Sequence, residues 1–151
     1  MKAAGDIRYD ELRLREAVGE KVFARGRNYA DQYQVTLLSA GADGVLAAAF
    51  GTTDYTVWLN RPGPEVSGSC TCPAFEDAGL CKHMVATALL ANEASTAGEG
   101  PSNSIDRVAV QIAKADRRQL EKLLLDMVTT DWTTLRSLHF ALGLDWEDDF
   151  D

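Results

Sequence analysis

A chain of 151 residues, 46% hydrophobic and 25% charged, can bury one ordinary core with a small appended subdomain, and a soluble globular protein is expected. The formal net charge of −8 argues against a general polyanion binder, because non-specific affinity for nucleic acid comes mostly from neutralising phosphates. No apolar run approaches the length of a membrane span, and the opening Met1-Lys2-Ala3-Ala4-Gly5-Asp6 lacks the hydrophobic core of a secretory signal, so a cytoplasmic protein is expected.

Asp10 to about Asp31 reads as one helix or two, with Leu12, Leu14, Val18, Val22, Phe23 and Tyr29 supplying apolar faces and Gly19 and Gly26 as interruptions. Period-two patterning follows: Val35 and Leu37, a turn at Gly41-Ala42-Asp43-Gly44, then Val45, Ala47 and Ala49, a second turn near Thr52-Thr53-Asp54, and Tyr55, Val57 and Leu59. This is the pattern of an antiparallel meander. Arg61-Pro62-Gly63-Pro64 is a loop, and Val66 to Cys72 reads as a last strand that Pro73 stops. Met84, Val85, Ala88 and Leu89 recur at helical spacing. Residues 94–104 are small, polar and rich in helix breakers, which marks a linker.

Beyond it Ile105, Val108 and Ile112 form one helical stripe. Asp116-Arg117-Arg118-Gln119 is a capping-box start for Leu120, Leu123, Leu124, Met127 and Val128, and Asp131 opens a third run through Leu135, Leu138 and Leu142. These three helices are expected to lie against one another or against the preceding unit. His139 reads as a packed helix residue rather than a ligand. The architecture expected is therefore α+β: residues 1–93 with an N-terminal helix, the meander and a metal finger over 66–92, the linker 94–104, a helical subdomain 105–144, and an acidic tail 145–151.

All three cysteines lie within twelve residues, in Cys70-Thr71-Cys72-Pro73-Ala74-Phe75-Glu76-Asp77-Ala78-Gly79-Leu80-Cys81-Lys82-His83, with one of the two histidines closing the run. Three sulfurs and one imidazole nitrogen fill the four positions of a tetrahedral Zn²⁺ and leave none for water or substrate, so Cys70, Cys72, Cys81 and His83 read as a closed structural zinc site. Residues two apart on a strand share a face, which lets Cys70 and Cys72 reach one ion. Gly79 turns the chain back, and His83 falls in the first turn of the next helix. Three other readings account for less. A disulfide leaves one cysteine unpaired and needs an oxidising compartment. A Cys/His nucleophile pair activated beside Lys82 explains one cysteine and leaves two idle. Cysteines used as small apolar fillers would be scattered through core positions rather than bracketing a loop.

The pattern Cys-x-Cys, variable loop, Cys-x-His, followed by Met84, Val85, Ala86 and Thr87, resembles the SWIM zinc finger. Phe23-Ala24-Arg25-Gly26-Arg27-Asn28-Tyr29 is similar to the segment that precedes the finger in bacterial members, and Gly51 to Val57 is similar to the family's glycine-to-Tyr-x-Val strand. The resemblance covers roughly residues 20–92. It implies a non-catalytic zinc-binding module that binds DNA or protein as an accessory factor in DNA transactions, as found in transposase-like proteins or beside bacterial helicase-like ATPases.

Charge separates the two roles. Residues 1–33 hold seven basic and six acidic side chains, residues 94–130 five and five, and residues 131–151 one and six, so acidity concentrates at the end. If nucleic acid is bound, Arg25, Arg27 and Lys82 near the finger and Arg117 and Arg118 beyond it are the candidates for phosphate contact, with Tyr29 or Trp58 to stack on a base. The plainer reading makes the arginines a solvated helix face, the aromatics core, and Lys82 a cation offsetting the charge of three thiolates on one Zn²⁺. The tail Asp145-Trp146-Glu147-Asp148-Asp149-Phe150-Asp151 is a solubilising segment, or else a docking peptide for a basic partner or an internal competitor for a basic surface. No phosphate-binding glycine loop, second histidine for a hydrolytic metal or acid/base carboxylate pair stands out, so neither an enzyme nor a small-molecule substrate is expected. Two functions remain. One is a nucleic-acid-binding zinc module, and the other is a pure protein-interaction adaptor, for instance for a helicase-like ATPase, that binds no nucleic acid.

Overall fold

The computed structural model describes residues 8–97 and 104–144, and these fall into two compact units that divide between Ile105 and Asp106. The acidic tail 145–151 and the middle of the segment read as a linker lie outside the described residues. The fold is α+β: a helix pair, a four-stranded antiparallel sheet and then further helices.

In the first unit, α1 (Glu11–Val18) begins where the Asp10 carboxylate accepts from the Leu12 and Arg13 amides. It ends at Gly19, whose φ of 80° no other residue adopts cheaply, so the segment read as one helix or two is two. The second interruption, Gly26, does not break α2 (Glu20–Asp31). Its role lies in packing. An added Cβ there would overlap Cβ and Cγ1 of Val85 and come within 2.9 Å of the Lys82 carbonyl oxygen, so α2 crosses α4 with no room for a side chain. Phe23 and Ala30 are buried on the same helix.

The strands β1 (Val35–Gly41), β2 (Gly44–Phe50), β3 (Asp54–Asn60) and β4 (Gly68–Cys70) lie in chain order, each antiparallel to the next. Val35, Val45, Ala47, Ala49, Val57 and Leu59 are buried, the alternation that the sequence displayed. The last strand is shorter than expected, opening at Gly68 instead of Val66. Pro73 does more than stop it, because it occupies the first turn of a short helix, α3 (Pro73–Ala78), inside the segment read as loop.

Beneath the sheet runs α4 (Lys82–Ala97), which packs on all four strands and on α2. Met84, Val85, Ala86, Thr87, Ala88, Leu89 and Ala91 are all buried, so this helix is enclosed nearly all round rather than on one stripe. It continues through residues 94–97, which composition alone assigned to a linker. Thr87 sits in this apolar setting because its hydroxyl donates to the His83 carbonyl oxygen at 2.8 Å.

The chain before α1 is tied to the end of α4 by a reciprocal pair: the Tyr9 amide donates to Asn92 Oδ1 at 2.7 Å, and Asn92 Nδ2 donates to the Tyr9 carbonyl at 2.9 Å. The Tyr9 hydroxyl donates to the Asn60 carbonyl at 2.8 Å, and burial pushes its pKa up to about 12 from 10.0. A raised acid pKa means the fold favours the neutral phenol. Its contribution is therefore complete below about pH 10 and is lost as pH rises through about 12. Tyr9→Phe should cost about 1 kcal/mol near neutrality, the usual worth of one hydrogen bond. The gap between wild type and variant in urea unfolding should close between pH 10 and 12, and a constant gap would remove Tyr9 as the alkaline-sensitive group.

The second unit consists of α5 (Ser104–Lys114), whose first residues precede the division, α6 (Arg117–Thr130) and α7 (Trp132–Ala141). Asp116 and Gln119 form the expected capping box, with Gln119 N–H donating to Asp116 Oδ1 and Asp116 N–H to Gln119 Oε1. Asp131 caps α7 and accepts from the Thr133 and Thr134 hydroxyls, which holds its carboxyl below the usual range. Helices α6 and α7 lie against each other. His139 is half-buried on α7. No helix among the described residues is long and apolar enough to cross a membrane.

Candidate metal centre

Two backbone devices deliver the four donor side chains. Register pairs Val57 of β3 with Cys70 at the end of β4. Pairing then continues one residue further through Thr71, whose amide donates to the Thr56 carbonyl at 3.1 Å while its hydroxyl accepts from the Thr56 amide at 2.9 Å. Thr71 thereby holds the chain extended between Cys70 and Cys72, which keeps both thiols on one side. Cys72 then caps α3, and Gly79 (φ 79°) reverses the chain. Cys81 stands just ahead of α4, where its carbonyl accepts from the Met84 and Val85 amides, both at 3.1 Å, and His83 follows in the first turn.

All four side chains are buried, and one donor atom from each falls within 4.8 Å of the others. Nδ1 of His83 lies 3.7 Å from Cys70 Sγ and 3.8 Å from Cys81 Sγ. A tetrahedral ion with Zn–S near 2.3 Å and Zn–N near 2.0–2.1 Å has donor–donor edges of roughly 3.5–3.8 Å, so the two edges to His83 already have the length zinc requires and the set as a whole, within 4.8 Å, is close to it. The imidazole offers Nδ1 to this centre. Nε2 points away, is buried, and has no hydrogen-bond partner among the described residues. Three soft thiolates with one imidazole select zinc and close its coordination.

The three cysteines are free thiols, and they cannot all ionise without a cation. The Cys70 thiol donates to Cys81, which lowers the Cys81 pKa to about 4, and the same bond followed by burial pushes Cys70 well up. Burial raises Cys72 as well. Within the trio, ionisation is thus favoured at Cys81 and disfavoured at Cys70 and Cys72. A Zn²⁺ held by these four residues would supply the charge that keeps three sulfurs ionised.

Aromatic rings wall the imidazole. Tyr29 of α2 meets His83 edge-on with centroids 5.2 Å apart, and Tyr55 of β3 lies tilted at 5.0 Å. Lys82 Nζ stands 4.5 Å above the Tyr29 ring. Tyr29 thus faces the metal centre, and Trp58, half-buried, donates from Nε1 to Asn60 Oδ1. Tyr55 had been legible as a strand residue and not as part of the site. Its signal was parity, since it shares a strand face with Val57, the neighbour of Cys70.

The five cations nominated for phosphate contact are differently placed. Arg25 and Arg27 flank Gly26, the residue of α2 that lies against Val85 and the Lys82 carbonyl. Arg27 is held by Glu11 at 3.1 Å and lies 5.7 Å from the Phe23 ring centroid. Lys82 is committed to Tyr29. Arg25 is exposed on α2 and forms no ion pair among the described residues. Arg117 and Arg118 belong to the second unit, where Arg117 pairs with Glu121 at 2.8 Å and Arg118 is exposed.

Residues 55–92 match the family model of the SWIM zinc finger. No curated protein and no solved structure matches the chain. The match starts at the strand that carries Tyr55 and ends at Asn92, enclosing all four donors and the burying helix. Residues 55–92 of this chain thus match the SWIM zinc finger, with Cys70, Cys72, Cys81 and His83 positioned to bind a metal.

Proposed function

We propose that the protein is a non-catalytic adaptor, folded by zinc, whose first unit binds another protein rather than nucleic acid. The observation that carries this reading is the state of the finger's cations: of Arg25, Arg27 and Lys82, two are engaged by Glu11 and Tyr29. Residues 8–97 moreover hold eight basic against eleven acidic side chains, a balance that repels phosphates. The sheet face away from α4 is more apolar than solvent requires. Leu46 and Trp58 pair across β2 and β3, and Leu38 and Phe50 are exposed. Four protein donors close the metal, which gives it a structural role, and free thiols kept for an ion suit the reducing cytoplasm. The partner class that the family resemblance implies is a helicase-like ATPase, in which case the chain serves DNA transactions at one remove.

Exposed Arg25 favours a second reading, direct contact with DNA. Fluorescence anisotropy of single- and double-stranded DNA against the zinc-loaded protein decides between them. The adaptor reading expects no rise at low salt and a nuclease-resistant complex with an ATPase that Phe50→Asp weakens. A salt-sensitive rise abolished by Arg25→Glu would hand the function to DNA.

A further inference from the structure

We propose that residues 105–144 are a dimerisation module, in which α5–α7 of one chain close over α5–α7 of a second copy. The inference is independent of what the finger unit binds.

Within the described part of this segment no residue is buried, whereas the first unit buries nineteen apolar ones. Of the sixteen large apolar residues exposed among the described residues, eleven lie between Val108 and Leu144. Two stripes stand out on α5 and α6, with Val110 and Leu125 outside them. Ile105, Val108 and Ile112 share one side of α5, and Leu123, Leu124 and Met127 share one side of α6, each between 42% and 57% exposed. A helical unit of roughly 40 residues without a core is too small to hold itself together, and oligomerisation is one of the standard remedies.

Area and charge point to a second copy as the occupant. The exposed parts of these two stripes, together with those of Trp132, Phe140, Leu142 and Leu144, offer an area comparable to the roughly 800 Å² per partner of a standard stable interface. A two-fold axis lets one stripe serve as both halves of that contact. The chain as a whole carries −8, which sets two copies against each other. Residues 106–144, however, hold six basic and five acidic side chains, so the acidic excess lies wholly outside them. Arg117–Glu121 and Lys122–Asp126 pair along α6 and leave its apolar side free of unbalanced charge. Two copies can meet at this segment without the repulsion that opposes contact elsewhere.

Sedimentation equilibrium of the full zinc-loaded chain across a hundredfold concentration range is the test. The expected result is a mass of two chains in place of the 16.4 kDa of one, with the dimer favoured or unchanged as salt rises. The double variant Ile112→Asp/Leu124→Asp should sediment as a monomer while keeping one zinc per chain and the melting of the finger unit. A monomeric wild type at every concentration overturns the proposal whatever the variant does, and means that the face is covered by this chain's own first unit or by a different protein. A dimer that persists in the double variant overturns it equally, by placing the contact elsewhere.

Discussion

Replacing Cys81 by serine or His83 by alanine should cost the first unit its metal and most of its fold. Structural zinc contributes on the order of 10 kcal/mol in small fingers, and a domain of this size has a total stability of about 5–15 kcal/mol, so the deficit approaches the whole. The damage spreads because of where the ligands sit. Cys81 and His83 start α4, and α4 is the surface on which α2 and all four strands pack. With the ion gone, the remaining donors of the set are left as polar groups in an apolar interior without the metal that satisfied them. Metal content by mass spectrometry should fall to zero, and thermal unfolding should lose its cooperative transition in the first unit. Variants that kept a full zinc and melted with wild type would refute the four-donor set.

The second large effect is expected at Gly26→Ala. On an isolated helix the change is favourable by about 0.8–1 kcal/mol, because alanine is the better helix former. Here the new methyl would overlap Val85 and press on the Lys82 carbonyl, and overpacking of this kind costs about 1–3 kcal/mol. The clash wins, since its partners are a fully buried β-branched side chain and a piece of backbone, neither of which can swing aside. Gly26→Val should be worse, and Val85→Ala should restore part of the loss in the double variant. Residue 82 lies between Cys81 and His83, so zinc should also be given up more readily to a competing chelator. A Gly26→Ala protein more stable than wild type would show that α2 and α4 sit further apart.

These two results mark the border of what the chain discloses before folding. The donor set was legible because metal chemistry is local: four residues within fourteen positions, in an order that zinc geometry explains. The meander and the capping box at Asp116 were legible for the same reason, as each depends on neighbours two to four residues apart. Gly26 was visible as a helix interruption and its actual constraint was not, because that constraint comes from Val85, fifty-nine positions away. The Tyr9–Asn92 clasp spans eighty-three positions and left no trace in either pattern. Pro73 misled in a more instructive way. A proline can end a strand or open a helix, and only the acidic Glu76 in the following turn hinted that it does both here. The continuation of α4 to Ala97 lacked a signal of its own, since small polar residues carry no periodicity.

The enclosure of the metal centre also sets a clock. Each donor is buried, and Tyr29 and Tyr55 stand on the imidazole from two different elements, α2 and β3. On the imidazole side these rings shield the centre, so release of a bound ion is expected to require the start of α4 to lift from the sheet. Exchange of isotopically labelled zinc should therefore run at the opening rate of that helix and share its temperature dependence with amide exchange at Met84 and Val85. Residence of the metal then measures the lifetime of the folded finger.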